Sequence, residues 1–136
     1  MTSSIHDIPG DHVERVTIPA HAAATATESH TLFVAPFACQ LVSVAVHWGA
    51  AITGTATNYT NVNLVNRGTD GAGTTELANI DYLSGTDATS YDAVDLYSPA
   101  TPLALAAGTI ISLDLEKVAT GLALPNGQAV ITYRAA

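Results

Sequence analysis

The sequence predicts an all-β protein, a single antiparallel β-sandwich or jelly-roll domain with an irregular N-terminal arm, and three observations predict it. Apolar and polar residues alternate with period two through several segments, ACQLVSVAVHW and TIISLDLEKV most clearly. Clusters of Gly, Pro, Asn and Asp punctuate the chain at intervals of roughly 8–15 residues, the rhythm of sandwiches and small barrels. Thr and Val are abundant and good helix formers other than Ala are few, which favours pleated surfaces over helices. A chain of 136 residues fits one domain, and folding should bury roughly 68% of its unfolded surface. No fixed-period repeat divides it. The predicted organisation is an arm over 1–12 and a sandwich over 13–136.

Residues 1–12 (MTSSIHDIPGDH) carry Ser, Asp, Pro and Gly and read as the arm. HVERVTI is a first strand with Val13, Val16 and Ile18 as its apolar set, ended by Pro19. In AHAAATATES the alanines could form a short helix, but the Thr alternation and Pro19 favour an extended strand. TLFVAPF is a strand stopped near Pro36. In ACQLVSVAVHW, Leu41, Ser43, Ala45 and His47 alternate with Val42, Val44, Val46 and Trp48. The valine and tryptophan face should be the core face, with His47 pointing outward or toward a neighbouring subunit. Residues 49–56 read as a turn with a strand start. TNYTNVNLVNR sets Tyr59, Asn61, Asn63 and Val65 against Thr60, Val62, Leu64 and Asn66. GTDGAGT at 68–74 is the strongest loop, and TELANIDYL returns as a strand. Residues 84–102 read as a long surface excursion with Tyr91, Leu96 and Tyr97 as anchors. PLALAAG leads into TIISLDLEKV, where Ile111, Leu113 and Leu115 alternate with Ser112, Asp114 and Glu116. ATGLALPNG contains an Asn-Gly turn before the last strand, QAVITYR, so these two strands read as a hairpin or near-hairpin.

Composition narrows the function. Hydrophobic residues make up 48% of the chain and charged residues 12%, about half the usual ~25%. Arg15, Arg67, Lys117 and Arg134 face twelve acids, for a net charge of −8. A surface this poor in lysine suits a protein that sits inside a larger particle. Scattered basic residues and an acidic balance argue against nucleic acid. The apolar stretch 32–51 is broken by Pro36, Gln40, Ser43, His47 and Gly49, so no membrane span is expected. The first twenty residues show no basic segment followed by an apolar one, so no secretory signal is expected. The single cysteine, Cys39, lies in an apolar run and reads as a buried inert thiol.

No constellation in the sequence carries chemistry. His6, His12, His21, His30 and His47 match no zinc spacing, with no HxH or HxxxH pair. Asp70 in TDGAGT superficially suggests a calcium loop, but Glu76 is the only other acid near it. Asp81, Asp87, Asp92 and Asp95 are spread through a loop region and read as solvated acids. GxSxG, a P-loop and GxGxxG are all absent, and the sequon Asn58-Tyr59-Thr60 reads as a chance match. The expectation is a protein that is not an enzyme and uses no cofactor or metal.

Two segments carry a family resemblance. The pattern LALAAGTIISLDLEKVATGLALPNGQAVITY at 103–133, and NYTNVNLVNRGTDGAGTTELA before it, resemble small β-sandwich virion proteins of tailed bacteriophages. The similarity is greatest to head decoration (cement) proteins, which sit on the outside of capsids, often as trimers. The resemblance implies a homotrimer on the capsid exterior, assembled in the host cytoplasm, that binds the major capsid protein and stabilises the shell by bridging capsomers. On it, Ile5, His6, Asp7, Ile8 and Pro9 become the capsid or protomer contact. Ile5 and Ile8 would anchor an added strand on a shell subunit or a sister protomer. Two alternatives stand beside it. One is a tail, baseplate or head-fibre β-domain. The other is a carbohydrate-binding module stacking sugars on Trp48, Tyr59, Tyr82, Tyr91 and Tyr97. Sugar stacking predicts two or more of these rings exposed and coplanar, whereas packing predicts Trp48 buried.

Overall fold

The computed structural model describes residues 10–136, and every described regular element is a β-strand. In chain order they are β1 (His12–Ile18), β2 (Glu28–Val34), β3 (Cys39–Trp48), β4 (Tyr59–Gly68), β5 (Thr75–Asp81), β6 (Ala93–Tyr97), β7 (Leu103–Leu105), β8 (Ile110–Val118) and β9 (Gly127–Ala135). One sheet runs β1-β9-β3-β6, with β7 also paired to β3, and the other runs β2-β8-β4-β5. All pairings are antiparallel. That order is the jelly roll, two interleaved Greek keys. Among the described residues only β4 and β5 form a hairpin, around the predicted glycine loop.

The strands form where period-two patterning lets one face meet the opposite sheet. Val62 and Leu64 of β4 and Ile111, Leu113 and Leu115 of β8 face Val44, Val46 and Trp48 of β3 and Ala129, Ile131 and Tyr133 of β9, all buried. Burying a Leu or Ile side chain contributes about 1.5–3 kcal/mol, so this layer dominates the stability. Trp48 is 1% exposed and donates its indole N–H to the hydroxyl of Tyr82 at 2.9 Å. The core therefore holds a satisfied polar pair rather than a stacking platform. Cys39 is buried, and burial pushes its thiol up from the ordinary value of 9.0, which makes it inert.

Several expectations are corrected. In β3 the pairing with β9 jumps from Leu41↔Tyr133 to Ser43↔Thr132, so Val42 is an extra residue in a β-bulge. The bulge changes the phase of the strand. Cys39 and Leu41 face inward before it and Val44, Val46 and Trp48 after it, while Val42 is only half-buried. In β1 it is Val16 and Ile18 that turn inward, and Val13 is 47% exposed. AHAAATATES is mostly neither helix nor strand. A single bridge, His21↔Leu124, pins it to the link before β9. Gly121 in that link has φ +75°, and a Cβ there would lie 2.2 Å from the Ala23 carbonyl oxygen. The excursion 84–102 contains β6, laid along β3.

The last two strands are not a hairpin. β8 lies between β2 and β4, β9 lies between β1 and β3 in the other sheet, and the link 119–126 crosses the sandwich. The buried hydroxyl of Thr60 holds that link, donating to Leu122 O (2.7 Å) and accepting from Leu122 N (3.0 Å). The predicted Asn-Gly turn serves another purpose. Gly127 opens β9, and its missing side chain lets the strand approach His47 O and the Trp48 ring, which a Cβ would meet at 2.8 and 3.0 Å.

Candidate functional site

The predicted contact residues Ile5, His6, Asp7, Ile8 and Pro9 lie outside the described residues. The other histidines are not brought together. His12 turns inward beside Tyr133, with ring centroids 5.3 Å apart. His21 is fully buried, with Nδ1 3.5 Å from Glu28, and His30 meets the other carboxylate oxygen of Glu28 at 3.1 Å. His47 stands on the opposite side of the molecule's first sheet. Among the described residues no group of three or more His, Cys, Asp or Glu could hold a metal ion.

The loop acids are spent locally. Asp70 accepts from the amide of Ala72 at 3.0 Å, and Asp87 accepts from Gly54 N at 2.8 Å. Asp81 accepts from Asn79 at 2.7 Å, and Asp95 accepts from Ser98. Sequence reasoning missed the strongest polar cluster, on the outer face of the second sheet. There Arg67 meets Asp114 at 2.6 Å and donates to the Ser112 hydroxyl at 3.0 Å. Ser29 and Ser112 donate to the other carboxylate oxygen of Asp114 at 2.6 and 3.1 Å. Asp114 falls at an alternating polar position of β8, and only the fold shows that Arg67, from β4, covers it.

The concave site lies on the free face of the first sheet. Register places Thr17 of β1, Gln128 of β9 and His47 of β3 in one row, with Arg15 beside Val130 in the next. Strands about 4.8 Å apart make such a row of three about 10 Å wide. Asn126 closes one end, its carbonyl accepting from Gly49 N at 2.7 Å. Tyr91, whose amide donates to Trp48 O, also lines the groove. The resulting groove has a volume of about 700 Å3 and is open to solvent.

Tyr91 is held in a costly conformation. Its φ is +65°, the left-handed region that a bulky side chain rarely occupies. Two hydrogen bonds keep it there. Its amide donates to Trp48 O at 2.8 Å, and His47 Nδ1 donates to its carbonyl at 2.9 Å. The ring gains no burial in return, being 74% exposed, whereas the Trp48 and Tyr82 rings are buried and those of Tyr59 and Tyr97 are half-buried. Tyr91 is therefore not the packing anchor the sequence suggested, and the five aromatics form no shared platform.

Over the described residues, fold and topology define a nine-stranded jelly roll. No protein-family model matches the chain, and no curated protein does. Several solved structures are similar to it, two of them from infectious bursal disease virus. One is a structure of infectious bursal disease virus, Gx strain, at 10% identity and TM-score 0.40, covering 92% of this chain and 32% of that one. The other is the VP2 subviral particle of infectious bursal disease virus, at 13% identity and TM-score 0.41, covering 92% and 33%. The chain spans about a third of the length of each.

Proposed function

We propose that this chain is a virion structural protein without catalytic activity, a homotrimer that binds the outer surface of a phage head and bridges neighbouring capsomers. The observation that carries the proposal is the state of its strand edges. β1, β2, β5 and β6 each end a sheet, and none contains a lysine or a proline. Each carries only one or two charges (Glu14 and Arg15, Glu28, Glu76 and Asp81, Asp95), so these edges are blunted only in part and remain templates for pairing. Val13 on β1 and Val34 on β2 add exposed apolar side chains, at 47% and 51%. A domain of this kind completes its burial against other protein chains. Jelly rolls serve in viral shells as well as in lectins and cupins, and the residue pattern at 103–133 leans toward the shell. Binding the expanded head and not its precursor would stabilise the expanded state by mass action.

The test adds purified protein to expanded, undecorated heads and images where density appears, with native mass spectrometry of the free protein in parallel. Density at the seams between capsomers and a threefold oligomer are expected. A monomer that leaves heads bare but attaches to tails would replace the proposal with a tail or baseplate role. Deleting residues 1–9 addresses the arm: unchanged head affinity would remove it from the interface.

A further inference from the structure

We infer that the groove between Arg15 and Tyr91 is a binding site for an acidic saccharide, a sugar bearing a carboxylate. Four observations on its walls converge. First, Tyr91 presents a 74% exposed ring from a strained backbone that the surrounding hydrogen bonds enforce. Strain of this sort, about 1–3 kcal/mol, persists where it positions a group for use. Second, beside Val130 and two glycines the walls carry polar groups that both donate and accept, the amides of Asn126 and Gln128 and the hydroxyl of Thr17. Sugar hydroxyls also do both. With His47 Nδ1 donating to the Tyr91 carbonyl, a neutral ring leaves Nε2 as an acceptor.

Third, the charge of the groove is opposite to that of the protein. The chain has twelve acids and four bases, yet no Asp or Glu lines this groove and Arg15 does. Fourth, Arg15 is unspent. Arg67 pairs with Asp114, Arg134 with Asp11, and Lys117 donates to Ala24 O. Among the described residues Arg15 alone of the four has no hydrogen-bond or ion-pair partner. A guanidinium takes a carboxylate in bidentate fashion, and an aromatic face packs against the apolar face of a pyranose ring. The groove is a one-ring site built across β1, β3 and β9, distinct from the multi-ring platform that the sequence suggested as an alternative. Because Arg15 and Thr17 belong to the edge strand β1, sugar binding is measured on the free protein, where its outcome is read independently of head binding.

The experiment is a glycan microarray carrying sialylated, uronic-acid and neutral oligosaccharides, followed by calorimetric titration of the best acidic ligand and its methyl ester. Acidic glycans are expected to bind, and esterification to weaken binding about tenfold. Arg15→Gln should weaken the acid by a similar factor and leave the ester unchanged. Tyr91→Asn should weaken both at least tenfold. Asn tolerates the left-handed region, so this variant keeps the backbone, and an unchanged near-ultraviolet signal from Trp48 verifies the fold. Failure of every acidic glycan to bind would overturn the inference. So would a preference for neutral sugars, or binding that neither substitution alters.

Discussion

Replacing Asp114 tests how much of the second sheet's outer face is structural. The carboxylate is 10% exposed and its partner guanidinium 24% exposed, and it accepts three hydrogen bonds, from Arg67, Ser29 and Ser112. Asp114→Ala deletes the acceptor and leaves two hydroxyls and a guanidinium beneath partial cover. Breaking a fully buried pair costs about 3–5 kcal/mol. Arg67 keeps a route to water, so the expected loss lies at the low end, about 3 kcal/mol. Asp114→Asn keeps the shape and part of the hydrogen bonding and should lose about 1 kcal/mol. Urea unfolding followed by the fluorescence of Trp48, the only tryptophan, reports the loss as a midpoint lowered by about 1.5 M. A double cycle with Arg67→Met separates the pair from the serines, with a coupling of about 1–2 kcal/mol expected. An Asp114→Ala protein within 0.5 kcal/mol of the parent, a margin typical of free surface sites, would show that water already satisfies this cluster.

Four further outcomes are expected. Tyr91→Gly should raise stability by about 1 kcal/mol, because the left-handed strain disappears and little burial is lost; a lower melting temperature would mean that the ring packs. Gly127→Ala should cost about 1–3 kcal/mol in thermal unfolding, since the new methyl would press on His47 O and the Trp48 ring. Tyr82→Phe leaves the Trp48 indole without its acceptor and should cost about 1–3 kcal/mol by the same assay. Burial raises the Cys39 thiol and the Tyr82 and Tyr133 hydroxyls above their ordinary 9.0 and 10.0. The folded state therefore holds these protons longer than the unfolded one, and the stability they contribute is intact below about pH 9 and falls as pH rises further. Urea midpoints at pH 8 and 10.5 check the direction, and a higher midpoint at 10.5 would refute it.

Much of the fold was legible because alternation is local. HVERVTI, CQLVSVAVHW and IISLDLEKV carry their strands in their own pattern, and β1 and β3 end where Pro19 and Gly49 follow. What failed was non-local. The bulge at Val42 depends on how β9 lies beside β3, and no count along the sequence shows it. β8 and β9 look like hairpin partners until the competing neighbours β2, β4, β1 and β3 claim their edges. AVDLY is five residues among Ser, Asp and Thr, too short to announce itself as β6. The groove was invisible for the same reason, since Arg15, His47, Tyr91 and Gln128 come from four distant segments that only sheet register assembles. One local signal was available: an aromatic flanked by Ser90 and Asp92 rather than by apolar residues.

The pairing of β1 with β9, from His12↔Tyr133 to Ile18↔Gly127, has a consequence for biosynthesis. β9 is an inner strand of its sheet, so β1 and β3 have nothing between them until β9 itself leaves the ribosome. The nascent chain can form the β4–β5 hairpin early, but the sandwich shuts only once β9 has emerged. Its unpaired strands are exposed until then, and a chaperone that shields extended apolar segments would raise the yield of folded protein.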